Sequence, residues 1–153
     1  MAIAPNTPPF VAGSILTATQ MTALPLGIVA LSTTNLVANV NATETVAMQT
    51  PSFTAYANRY YRITFNFAGT LVATAGNALA AKIRLTNAAG TVYGHSGVGY
   101  NATGGFTGLT VIAITTLAAG ATVICGTVVA SAGSGSVIGG VPYSLIVEDI
   151  GPA

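Results

Sequence analysis

Charge is what this sequence has least of. Seven of its 153 residues carry a formal charge, namely Glu44, Arg59, Arg62, Lys82, Arg84, Glu148 and Asp149, where an ordinary soluble domain devotes about a quarter of its residues to charge. With a net charge of +1 and no cluster of Lys or Arg, there is no basic patch to neutralise phosphates, and binding to nucleic acid by electrostatics is excluded. A balance so close to zero is also unlike the surface of a freely soluble enzyme. Histidine and cysteine occur once each, as His95 and Cys125, and tryptophan is absent. A zinc site takes about four nitrogen or sulfur ligands, which one His and one Cys do not supply. The lone Cys forms no disulfide within the chain, which fits synthesis in a reducing cytoplasm. The sequence therefore reads as a structural or binding protein and not an enzyme, with no metal and no cofactor expected.

Long apolar runs are also missing, although the mean hydropathy is +0.70. From Leu85 to Val147 no residue is charged, yet Gly, Thr, Ser or Asn interrupts the stretch every few positions. No spanning helix is expected from such a pattern. A transmembrane barrel would need repeated strands of about ten residues with an apolar band and aromatic girdles, and the scattered Tyr and Phe do not form them. The opening Met1-Ala2-Ile3-Ala4-Pro5 lacks the basic start and apolar core of a secretion signal. No membrane insertion is expected, and Asn41-Ala42-Thr43 and Asn101-Ala102-Thr103 read as turn residues and not as glycosylation sites.

What is present divides into two parts. Residues 1–35 read as an N-terminal arm: Pro5, Pro8 and Pro9 keep its start extended, and Thr17-Ala18-Thr19-Gln20 makes a capping box for a short helix, Ala18 to Leu24, stopped by Pro25. Its apolar residues Phe10, Ile15, Leu16, Met21 and Leu24 are candidates for an anchor on another protein. Residues 36–153 read as one β-sandwich. Tyr61, Ile63, Phe65 and Phe67 alternate with Arg62, Thr64 and Asn66, the period of a half-buried strand. Ala81, Ile83 and Leu85 alternate with Lys82, Arg84 and Thr86, and Asn87-Ala88-Ala89-Gly90 turns the chain into Thr91-Val92-Tyr93, with Gly90 expected at a positive φ. The segments Gly94 to Gly105 and Ala132 to Ser136 read as flexible Gly-rich loops. Leu109 to Thr116 and Thr122 to Ala130 are apolar on both faces, so one face of each needs cover from outside the core. A last strand is expected over Val141 to Ile150, and the fold class is all-β.

Chemical constellations fail one at a time. His95 and Ser96 are adjacent, so on extended chain they point apart, and Val98 stands where a nucleophile elbow needs Gly. Cys125 sits mid-strand as a small hydrophobe. Glu148 and Asp149 read as solvated charges at a strand end. Arg62, Lys82 and Arg84 are expected on one sheet face, paired with Glu44 or Glu148.

Five stretches carry two resemblances. Tyr60-Tyr61-Arg62-Ile63-Thr64-Phe65, Leu117-Ala118-Ala119-Gly120-Ala121-Thr122-Val123 and Tyr143-Ser144-Leu145-Ile146-Val147 resemble the strand sequence of the tumour necrosis factor and complement globular-head superfamily, with Ala121 where an Asp is usual. Pro9 to Met21 and Val147 to Pro152 are similar to small virion proteins of tailed phages, minor tail or head-decoration proteins. The resemblances imply a jelly-roll knob, a homotrimer made in the host cytoplasm and carried on the virion, attached to other virion proteins by its arm. Tyr60, Ile112, Ile114 and Tyr143 are then the expected subunit contacts. The alternative is a receptor- or glycan-binding fibre head, in which Tyr93, His95 and Tyr100 would meet a host-surface ligand.

Overall fold

The computed structural model describes residues 15, 21, 24–37, 39–72, 78–99, 105–132, 134–137 and 143–153. These form twelve strands in two facing antiparallel sheets and a small two-stranded pair, so the chain is an all-β sandwich. In chain order they are β1 Gly27–Ser32, β2 Asn39–Asn41, β3 Thr45–Gln49, β4 Phe53–Ala55, β5 Arg59–Val72, β6 Ala78–Leu85, β7 Val92–Gly99, β8 Gly105–Thr116, β9 Gly120–Thr122, β10 Ile124–Ala130, β11 Ser134–Val137 and β12 Ser144–Pro152. The larger sheet runs β1-β12-β5-β11-β2, with β8 also paired to β5. The second sheet runs β3-β10-β6-β7, and β4 pairs with β9.

Alternation along β5 puts Tyr61, Ile63, Phe65 and Phe67 inside, where they meet Leu145 and Val147 of β12 and Leu79, Ala81, Ile83, Ile124 and Val128 of the second sheet. Gly126 makes that close packing achievable, because a Cβ there would lie 2.6 Å from the Phe65 ring. The expected hairpin is β6–β7, but its turn works differently from the expectation. Thr86 takes the positive φ, 66°, while Gly90 is needed for space: a Cβ on it would lie 1.6 Å from the Leu85 carbonyl oxygen.

Several expectations are corrected. Gly94 to Gly99 is not a loop but part of β7, fully paired with β6. Its first glycine lets β7 lie over β8, since a Cβ on Gly94 would come within 3.2 Å of Val111 and 3.3 Å of Ala113. Ser134 to Ser136 is likewise a strand, held between β5 and β2. Ladder hydrogen bonds come from the backbone, and the 14-residue β5 extends beyond its pairing with β12 and gives this segment a partner. Thr122 to Ala130 is two strands of different sheets, β9 and β10, separated at Val123. The last strand starts at Ser144 and runs to Pro152. Residues 27–32, in the segment read as an arm, form β1 and pair with β12. Of the expected helix, Met21 is helical and its carbonyl accepts from Leu24 N at 3.2 Å; 18–20, 22 and 23 lie outside the described residues. Asn41 is the last residue of β2, and its side chain accepts from Thr43 N at 3.1 Å in the bend that follows.

Candidate functional site

Four strands of the larger sheet, β8, β5, β12 and β1, present one continuous face away from the core. Cross-strand register aligns its side chains in rows. Ile114, Arg62, Glu148 and Ile28 form one row, and Ile112, Thr64, Ile146 and Leu31 form the next. A third holds Thr110, Asn66 and Ser144. Ile112 is 60% exposed, Ile114 62%, Ile28 61% and Leu31 47%. Isolated exposed hydrophobics are ordinary, but here β-branched and leucine side chains line both margins of one sheet face, which makes this face the candidate site.

The polar groups in the middle of this face are tied to one another. Arg62 donates to Glu148 through Nε at 2.7 Å and Nη2 at 2.9 Å, which lowers the carboxyl and raises the guanidinium from their ordinary values. The Thr110 hydroxyl donates to Asn66 Oδ1 and the Asn66 amide to Ser144 Oγ, each at 2.8 Å. Such pairing leaves the face with polar contacts that are already satisfied and apolar groups that are not.

The outer face of the second sheet is the opposite case. Glu44 accepts from Lys82 Nζ at 2.7 Å, from Arg84 Nε at 2.5 Å and Nη2 at 2.9 Å, and from the Thr127 hydroxyl at 2.5 Å. Burial pushes the Glu44 carboxyl up, but the bonds from Arg84, Lys82 and Thr127 outweigh it and hold the pKa at about 2. This cluster covers Thr127, which with Cys125 is fully buried. Both faces of β10 are thus covered by the chain itself, and the outside cover expected for that strand is not needed. Cys125 donates to the Thr86 carbonyl at 3.1 Å, and burial raises its thiol.

Arg62 is therefore not on a common face with Lys82 and Arg84; it belongs to the other sheet. Asp149 is not a solvated charge either. It is buried and holds Arg59 by two bonds, one from Nη2 at 2.6 Å and one from Nε, because Asp149 shares the inward parity of Leu145 and Val147. Arg59 Nη2 also donates to the Leu24 carbonyl at 2.6 Å, fixing the entry to β1. Beside it lies a groove of about 480 Å³ lined by Leu26, Tyr56, Ala57, Asn58, Arg59 and Pro152. Among the described residues its lining holds no acid–base pair, and no three His, Cys, Asp or Glu side chains cluster as metal ligands.

The expected subunit contacts are partly brought together. Tyr60, Ile112 and Ile114 share the outer face, whereas Tyr143 packs against Phe67 of its own sandwich, ring centres 5.8 Å apart. Of the expected anchor, Ile15, Met21 and Leu24 are exposed, and Phe10 and Leu16 lie outside the described residues. Tyr93 is half-buried against the core, its hydroxyl pKa raised by burial. His95 is exposed on β7 opposite Lys82, and Tyr100 lies outside the described residues. Sequence reasoning missed Ile28, Leu31 and Ile146 as parts of the same face as Ile112. The signal was hidden by a bulge between Ile28 and Ala30, which places two residues three apart on one side and breaks the period of two.

No protein-family model matches the chain, and no curated protein is significantly similar to it. No helix among the described residues is long and apolar enough to cross a membrane.

Proposed function

We propose that this chain is a structural subunit of a tailed-phage virion, a jelly-roll sandwich that assembles with copies of itself through the outer face of β8, β5, β12 and β1. The observation that carries the reading is the composition of that face: exposed Ile and Leu on both margins, in a chain whose seven charges are all held in ion pairs. Strand order supports the jelly roll. With the short β2, β4, β9 and β11 set aside, the two sheets run first–eighth–third–sixth and second–seventh–fourth–fifth, the wrapping of two Greek keys. The virion setting comes from the resemblance, with the segment before β1 as the attachment to other virion proteins; the resemblance implies three copies, whereas the pattern of this face fits two.

Two experiments test it. Ile112→Asp and Ile114→Asp each place a carboxylate where a subunit contact would desolvate it, and each is expected to dissociate the assembly while leaving the sandwich folded, because both positions are exposed in the single chain. Light scattering that returns the same oligomer for both variants would remove this face from the contact. Deleting residues 2–23, which spares β1 and the Leu24 carbonyl, should leave a folded, associating protein that no longer joins particles. Incorporation at normal copy number would overturn the anchor.

A further inference from the structure

Resting on the reading that copies meet through this face, we propose that it pairs with a second copy across a two-fold axis running parallel to the strands, between β5 and β12. The rows are the reason. Read across the four strands, one row is apolar–cation–anion–apolar: Ile114, Arg62, Glu148, Ile28. Rotation about that axis turns each row end for end at the same height. Ile114 then meets Ile28 of the other copy, Ile112 meets Leu31, Asn66 meets Ser144, and Arg62 meets Glu148.

A two-fold axis in the same plane but at right angles to the strands, through that row, would set Arg62 on Arg62 and Glu148 on Glu148. Like charges brought together this way are strongly unfavourable. The strand-parallel axis keeps the mean strand directions of the two sheets aligned within about 30°, an ordinary way for sheets to pack. It also gives each Arg62–Glu148 pair a second pair of opposite charges, which offsets the desolvation that burying a lone pair would cost. Four strands about 4.8 Å apart and about six residues long make a face of roughly 400 Å² per copy, about 800 Å² in total and below the size of a standard specific interface, so the contact is weak and its population is expected only at high protein concentration, about 100 µM.

Charge exchange tests the pairing. Arg62→Glu and Glu148→Arg each set like charges across the axis, and each alone is expected to be monomeric at about 100 µM, with circular dichroism confirming the fold. Mixed in equal amounts they should form a 1:1 dimer at least about tenfold tighter than either alone, since opposite charges then meet at every contact. Ile114→Lys mixed with Ile28→Glu serves should either variant not fold and also separates the two axes, because positions 114 and 28 meet across the strand-parallel axis and not across the perpendicular one. A trimeric wild type, or a mixture that stays monomeric while the wild type associates, overturns the two-fold pairing and leaves the structural role standing. A wild type that is monomeric at about 100 µM overturns both.

Discussion

Gly126 has no side chain because Phe65 occupies the place where one would lie. A Cβ there would meet three ring carbons at 2.6–2.7 Å, so Gly126→Ala is expected to cost about 1–3 kcal/mol, the usual penalty for overpacking. Urea unfolding measures it, and Phe65→Leu in the same chain should recover part of the loss, since the three nearest atoms all belong to the ring. Glu44 gives a second expectation at this scale. Its pKa falls from 4.5 to about 2 on folding, so its ionised form contributes stability that is complete above about pH 4.5 and is lost as the pH falls towards 2. In thermal melts from pH 7 to pH 2, Glu44→Gln should show a smaller acid loss than the wild type. An unchanged acid slope would mean that another carboxylate controls it. Neither residue's part was legible beforehand: Gly126 reads in sequence as one small residue in an apolar strand, and the Glu44 cluster joins the connection before β3 to β6 and β10, far apart in the chain.

Among the elements, β5 and β6 were readable because one face is buried and the other is not, so apolar and polar residues alternate, and β8 because it is a run of β-branched and apolar residues. β7 and β11 were not, since their glycines carry no pattern and their pairing is a matter of backbone and available neighbours. Glycine at position 94 looked like flexibility and instead permits contact between two strands. β1 was hidden by its bulge and by lying in a segment rich in apolar residues without alternation. The link that fixes it in place is also invisible in sequence, because Arg59 on β5 joins Asp149 on β12 and the Leu24 carbonyl. The Asp149 side chain is fully buried and that of Arg59 is 10% exposed. Asp149→Asn removes one charge of a buried pair and is expected to destabilise the fold by about 3–5 kcal/mol. Replacing both, as Arg59→Met with Asp149→Leu, should be distinctly milder in urea unfolding than the single change. If the double variant is the worse of the two, the charges themselves stabilise the entry to β1.

For the molecule as a whole, the scarcity of charge proves to be an arrangement as well as a count. The buried Arg59–Asp149 pair sits within the sandwich, Glu44 gathers Lys82 and Arg84 on one outer face, and Arg62–Glu148 lies in the middle of the other. Every formally charged side chain has a partner of opposite sign, the one excess positive charge lies in the Glu44 cluster on the other sheet, and the apolar margins of the larger sheet invite a neighbouring copy. Composition alone already pointed to association. It could not say which face, because that depends on the register of four strands drawn from residues 27 to 152. Contacts made mainly by Ile and Leu are not screened by salt. The most direct test is therefore the mass of the wild-type chain by light scattering at about 100 µM, in roughly 0.05 M and 1 M sodium chloride. A multiple of the chain mass at both salt concentrations is the expected result, and a mass equal to that of one chain would contradict the account.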